Sequence, residues 1–329
     1  MIKFNERNFR VWSNLGAMGA FHAIGLMEAK KSDNDIVVMV ADTYRAVGLD
    51  RYARSYPESF FNMGIAEQNL VGMSAGLSAE GENVFLSTYA SFLTGRAYEF
   101  VRHNMGVEGH GVKLVGCFAG VQTGTSGYSH WSIDDISLMR NIPGMTVISP
   151  ADGVEAVKTA LAVSRMKTPV YVRFCGATGT PMVYSADYDF EVGKAVRLKS
   201  GSDIAIIATG LMVSTALEAS EMLAEQGVSC SVFNFHTIKP LDGEVLCEIY
   251  QAHNMIVSLE EHSVIGGLGT AIAQHKTGYP DSPRQIIMGF DDCYRGTGSR
   301  DYVLQLYGLT SEDVARRIWD AWSAERTER

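Results

Sequence analysis

The sequence predicts an α/β fold of two domains, each a mostly parallel sheet with helices on both faces. Three observations carry this. Short apolar runs alternate with amphipathic helical stretches, the alternation breaks once at a Gly/Pro/Thr-rich segment, and a second series then resumes. The 329 residues fit two domains of ~100–200 residues each.

Taken in order, the run I-V-V-M-V-A at 36–41 is uniformly apolar, the pattern of a strand covered on both faces. Runs at 84–87, 112–117, 146–149 and 170–174 repeat it, and helical stretches at 66–80, 91–104 and 153–166 lie between them. Residues 175–189 cluster Gly, Pro and Thr without helical period and read as a linker. The second series has strands at 204–209, 229–234, 255–259 and 284–288. Its helices are at 213–226, 243–251 and 267–276, and 311–324 forms a terminal helix. The expected domains are therefore 1–185 and 186–329. Ligands of such sheets sit beyond the carboxyl ends of the strands.

Composition narrows the function. Lys plus Arg number 28 against 37 Asp plus Glu, a net charge of −9, with no basic run to follow a phosphate backbone. No nucleic-acid partner is expected. The five cysteines form no C-x-x-C pair, which points to reduced thiols and a cytoplasmic setting. Residues 1–7 carry no long apolar segment of a signal peptide. No apolar stretch approaches the ~20 residues that span a bilayer, so no membrane partner is expected.

Four segments carry chemistry. The first, G-I-A-E-Q-N at 64–69, places Glu67 at the start of a small-residue helix, where burial among apolar atoms would raise its proton affinity. The plain alternative is a carboxylate favoured by the helix macrodipole. In the second, Tyr89 and Phe92 are three residues apart at a strand–helix junction. They could stack a flat heteroaromatic ligand or simply fill core. The third, G-T-S-G-Y-S-H-W-S-I-D-D-I at 124–136, puts His130 in a glycine-rich loop beyond a strand, suited to proton transfer or to plain solvation. In it Ser132 and Asp135 read as a helix cap and its partner. The fourth, E-E-H at 260–262 before G-G-L-G, reads as close helix–strand packing at a domain or subunit contact rather than a phosphate turn.

In this order the segments resemble the transketolase family, over about residues 10–308. The carriers are G-I-A-E-Q-N, S-T-x-x-x-F-L-x-x-R-A-Y-E, the histidine loop before I-D-D-I-x-L-M-R, N-I-P-G-M-T-V-I-S-P-A-D, and E-E-H-x-x-I-G-G-L-G. The chain is similar to the C-terminal half of a transketolase, comprising the pyrimidine-binding domain and the C-terminal domain. The resemblance implies thiamine diphosphate as cofactor, with Glu67 on the pyrimidine nitrogen and Tyr89 and Phe92 as the pyrimidine wall. It also implies His130 on the donor sugar and Asp42, at the end of strand 36–41, near the pyrimidine. The family's G-D-G…N motif for metal and diphosphate is missing from this sequence. The resemblance therefore implies a separate diphosphate-binding subunit that holds Mg2+, in an α2β2 assembly whose active site forms at the interface. The activity implied is movement of a two-carbon ketol unit from a ketose donor to an aldehyde acceptor.

Four positions depart from the family pattern. Arginines expected near Asn14, before the first helix, and at Gly176 are missing; a histidine is replaced by Phe118 and an aspartate by Ser126. Loss of bidentate arginines implies either that the acceptor is not an ordinary sugar phosphate or that its phosphate is gripped by other residues. The competing readings are the beta subunit of a 2-oxo acid dehydrogenase, a 1-deoxyxylulose-phosphate-synthase-like condensation, and a non-catalytic interaction subunit.

Overall fold

The structure, a computed structural model, describes residues 2–176 and 178–328. The strands, in chain order, are β1 (Ile36–Val40), β2 (Phe60–Asn62), β3 (Asn83–Tyr89), β4 (Lys113–Cys117), β5 (Thr146–Ile148) and β6 (Val170–Arg173). They continue as β7 (Val196–Lys199), β8 (Ile204–Ala208), β9 (Cys230–Asn234), β10 (Thr237–Lys239), β11 (Met255–Ser263) and β12 (Arg284–Phe290). One sheet runs β10-β5-β6-β4-β3-β1-β2 and the other β12-β11-β8-β9-β7. Every pairing is parallel except β10 on β5 and β7 on β9, both at sheet edges.

The uniformly apolar β1 is buried along its whole length. Its side chains alternate between two cores. Val37 and Met39 pack with Leu70 and Val71 of the helix Glu67–Ala79. Ile36, Val38 and Val40 pack with Phe21 and Leu26 and with Ala156 and Ala160 of the helix Gly153–Val163. Both faces are covered, as the sequence pattern requires. Among the described residues no helix is long and apolar enough to cross a membrane.

The structure adds elements that the pattern does not reveal. β2, β7 and β10 are strands of three or four residues, too short for a period to register. β10 has a topological consequence: it belongs to the second half of the chain yet pairs with β5 of the first sheet, Thr237 opposite Ile148. An N-terminal helix, Glu6–Ala20, is broken at Gly16, whose φ is +74°. Asn14 lies inside this helix, not before it. The helix expected over 91–104 is instead a π-turn (Phe92–Arg96), one α-turn (Tyr98–Val101) and a second π-turn (Arg102–Val107). There the Thr94 hydroxyl donates back to the Ala90 carbonyl at 2.9 Å, a bond that competes with the helical ladder.

Among its described residues the linker has no regular element, but it is fastened. Gly179 and Thr180 donate backbone N–H to the carbonyls of Asn14 and Ser13. Tyr184 and Tyr188 donate hydroxyls to buried Glu155, which also accepts from Asn234 of β9 at 2.9 and 3.0 Å. One carboxylate thus ties first sheet, linker and second sheet together. The E-E-H segment does the same from β11. Glu260 accepts the N–H groups of Leu268 and Gly269, capping the next helix. Glu261 accepts the N–H of Val121 at 3.0 Å and pairs with Arg300 at 2.5 Å.

Candidate functional site

The carboxyl ends of β1, β3 and β4 open onto one region, and the sequence-expected residues stand there. Gly64 holds φ +71°, a conformation available to it without a Cβ, and turns the chain from β2 into the helix Glu67–Ala79. Glu67 is the first residue of that helix and only 2% exposed. The expectation of purely apolar surroundings is not met. Arg96, from the π-turn after β3, donates to Glu67 Oε2 at 3.0 Å. The Arg96 guanidinium also lies 4.4 Å from the Phe92 ring centroid. Arg96 belongs to the F-L-x-x-R-A-Y-E motif of the sequence, but the motif alone assigns it no role; the structure places it in the π-turn within reach of Glu67.

The aromatic residues form a continuous group. Tyr89 and Phe92 have ring centroids 5.6 Å apart. The His130 ring meets both edge-on, at 5.9 Å from Tyr89 and 5.3 Å from Phe92. Phe118 completes the group at 4.9 Å from Tyr89. A hydrogen bond links His130 Nδ1 and the Ser129 hydroxyl at 3.0 Å. Glu67, Arg96, Phe92, His130, Tyr89 and Phe118 are therefore one contiguous set, contributed by three separate loops.

Asp42 stands on the Glu67 side of this set rather than against the rings. It is exposed, and its backbone N–H and carboxylate are both bonded to the Asn62 side chain, at 3.0 and 3.1 Å. The same Asn62 oxygen accepts the N–H of Gly64, so Asn62 splices the end of β1 to the Glu67 turn. Asp42 and Phe118 are the non-glycine residues at positive φ among those described, +55° and +56°. Each terminates a strand at the site. Strained backbone held at strand ends is a recurrent property of functional loops.

The cap expected at Ser132 is not formed. Asp134 takes the N-cap position, without a side-chain cap bond. Asp135 is fully buried, where Arg173 Nε and the Tyr171 hydroxyl both reach its Oδ2 at 2.7 Å. Arg173 also donates to the Glu261 carbonyl at 2.7 Å. This pair holds the His130 loop against β6 and β11, a structural task.

The departures have structural correlates. Gly176 sits at φ +82°, a conformation that other side chains rarely adopt, and a Cβ there would lie 2.7 Å from Leu211 Cδ1, which would have to shift. Phe118 puts its ring 4.9 Å from that of Tyr89. Among the described residues, no group of three or more His, Cys, Asp or Glu could hold a metal ion.

A buried carboxylate at a helix start thus stands beside a group of aromatic rings at the carboxyl ends of the strands. Comparison with known proteins identifies the family. The transketolase pyrimidine-binding domain model matches residues 18–177 and the transketolase C-terminal domain model residues 193–314. A putative transketolase C-terminal section from Methanocaldococcus jannaschii is 37% identical over 302 residues, covering 91% of this chain and 94% of that protein. The 6-deoxy-6-sulfo-D-fructose transketolase subunit SqwH from Clostridium sp. is 35% identical, covering 88% of this chain and 90% of its own length. Among solved structures, a split-gene transketolase described as an inactive beta4 tetramer superposes with a TM-score of 0.86 at 37% identity, covering 94% of this chain and 99% of that one. Topology and sequence agree that this chain belongs to the transketolase family and corresponds to the C-terminal subunit of a split transketolase.

Proposed function

We propose that the chain is the pyrimidine-binding subunit of a thiamine-diphosphate-dependent transketolase that moves a two-carbon ketol unit from a ketose to an aldehyde. The observation that carries this is the buried Glu67 carboxylate, held by Arg96 beside the Tyr89–Phe92–His130 rings. The cofactor supplies the carbon nucleophile and electron sink. Glu67 holds a proton at the pyrimidine nitrogen, Tyr89 and Phe92 orient the ring, and His130 exchanges a proton with a substrate oxygen. Asp42 frames the pyrimidine side. Division near residue 185 gives two domains, with β10 reaching back across the boundary.

A partner subunit supplies the diphosphate and Mg2+ grip, in an α2β2 complex in the cytoplasm. Surface chemistry around Glu67 supports a partner. Phe61 and Ile65, which lead into the Glu67 helix, are 42% and 76% exposed, and Met73 on the helix itself is 47% exposed. Gly72 and Gly76 on the same side have nothing within 4 Å of a would-be Cβ, leaving a smooth helix surface for close approach.

The acceptor in this reading is not an ordinary sugar phosphate, given Gly176 in place of arginine and Phe118 in place of histidine. The Clostridium relative, named for 6-deoxy-6-sulfo-D-fructose, is consistent with such a departure. The test is to mix this chain with its diphosphate-binding subunit, thiamine diphosphate and Mg2+, then compare phosphorylated and unphosphorylated aldehydes. Ketol transfer should need both chains and favour the unphosphorylated acceptor. Preference for ribose 5-phosphate with ordinary affinity would sink the acceptor assignment. Carbon dioxide release from a 2-oxo acid would replace the reaction with that of a 2-oxo acid dehydrogenase.

A further inference from the structure

The turn that presents Glu67 hangs from the edge of the first sheet. The short strand β2 lies at that edge beside β1 and ends at Asn62, opposite Val40. Beyond it the Met63 N–H donates to the Val40 carbonyl at 2.9 Å, and the chain then turns into the helix that Glu67 opens. That helix starts without a side-chain cap, because its N-cap residue is Ala66, whose methyl group accepts nothing.

Asn62 supplies the anchoring that a cap would otherwise give. Its Oδ1 accepts the N–H of Asp42 at 3.0 Å and the N–H of Gly64 at 3.1 Å. Its Nδ2 donates to the Asp42 carboxylate at 3.1 Å. Both residues that it binds have left-handed backbone, with φ +55° at Asp42 and +71° at Gly64. Such backbone persists where the surroundings over-determine it. The chemistry matches an asparagine: its carbonyl oxygen has two lone pairs for two N–H groups, and its amide nitrogen is left to meet a carboxylate. Aspartate would keep the acceptor and lose the donor, whereas alanine would lose both. Arg96 grips the Glu67 carboxylate; Asn62 grips the backbone of the turn that leads to it.

We propose that Asn62 is a positioning residue for Glu67, fixing the turn from which the carboxylate is presented to the reaction. The inference rests on the role of Glu67 in ketol transfer, and its test separates the two.

Hydrogen exchange of the full chain alone reads the turn directly. Asn62 is exposed, so alanine there leaves no cavity in the core. Asn62→Ala should speed amide exchange across residues 63–70 roughly 5–10-fold, the loss of about one hydrogen bond. The helix Met212–Glu225 should exchange as in the parent. Asn62→Asp keeps the acceptor for both N–H groups and should stay close to the parent. Ketol transfer by the two-subunit mixture reads the consequence. Asn62→Ala should lower kcat about 10-fold at near-constant KM, with Asn62→Asp within about threefold of the parent. In a Glu67→Gln background the alanine change should add little, because it acts through Glu67. Unchanged exchange over 63–70, unchanged kcat, an Asn62→Asp variant no better than Asn62→Ala, or a full further loss on top of Glu67→Gln would each overturn the positioning role. A Glu67→Gln mixture as active as the parent would instead overturn the role of Glu67, and this inference with it.

Discussion

Arg96 is the residue on which the geometry of Glu67 depends. The carboxylate is almost wholly buried, yet its partner is 44% exposed, so the pair is anchored on one side and adjustable on the other. Charge-assisted hydrogen bonds of this kind fix orientation as much as they add energy. Arg96→Ala should lower turnover roughly 10–100-fold, the size of one such bond, and should also lower the melting temperature, because the buried Glu67 carboxylate loses this partner. A steady-state comparison separates the cases: a fall in kcat at near-constant KM marks a positioning role, whereas unchanged kcat removes it. Glu67 was legible from its place at the start of a small-residue helix. Arg96 was not, because its importance comes from a π-turn, and nothing in the spacing of F-L-T-G-R distinguishes a π-turn from an α-helix.

At the scale of elements, the His130 loop is placed by a buried ion pair rather than by a helix cap. Asp135 and Arg173 are both essentially inaccessible to water. Asp135 Oδ2 also accepts from Tyr171, and Arg173 also donates to the Ser132 and Glu261 carbonyls and to Cys175 Sγ; Asp135 Oδ1 has no partner among the described residues. Breaking one half strands the other, which costs about 3–5 kcal/mol. Asp135→Ala should show that loss in urea denaturation of the isolated chain; a loss below 1 kcal/mol would mean that the pair does not hold the loop. The expected Ser132 cap failed for a physical reason. A sequence pattern scores Ser and Asp by their local offset, whereas here a long-range arginine from β6 captures the aspartate. The same limit hid β10, three residues whose strand character exists only because β5 offers a free edge. The long apolar strands were legible because burial on both faces leaves a continuous signature.

Across the whole molecule, the two sheets are joined by β10, by Glu155 and by Glu261. Packing this close leaves buried groups that respond to pH. His22 is fully enclosed, with Nδ1 on the Val47 carbonyl and Nε2 on the Ser87 hydroxyl, both at 2.9 Å. Burial lowers its pKa from 6.5 to about 4. The unfolded chain then binds the extra proton first, so this group's contribution is full above pH 6.5 and is lost as pH falls toward 4. The loss amounts to about 3 kcal/mol. Chemical denaturation of the parent and His22→Gln at pH 7 and pH 5 should show a smaller acid loss in the variant; identical pH slopes would contradict it. In the proposed function, this subunit's Glu67 activates a cofactor whose other end is held by a second chain. The most direct test of that role is ketol transfer by the two-subunit mixture with Glu67→Gln in place of the parent. Turnover should fall on the order of 10²–10⁴-fold with assembly intact by size-exclusion chromatography, whereas an assembled complex with undiminished turnover would contradict the account.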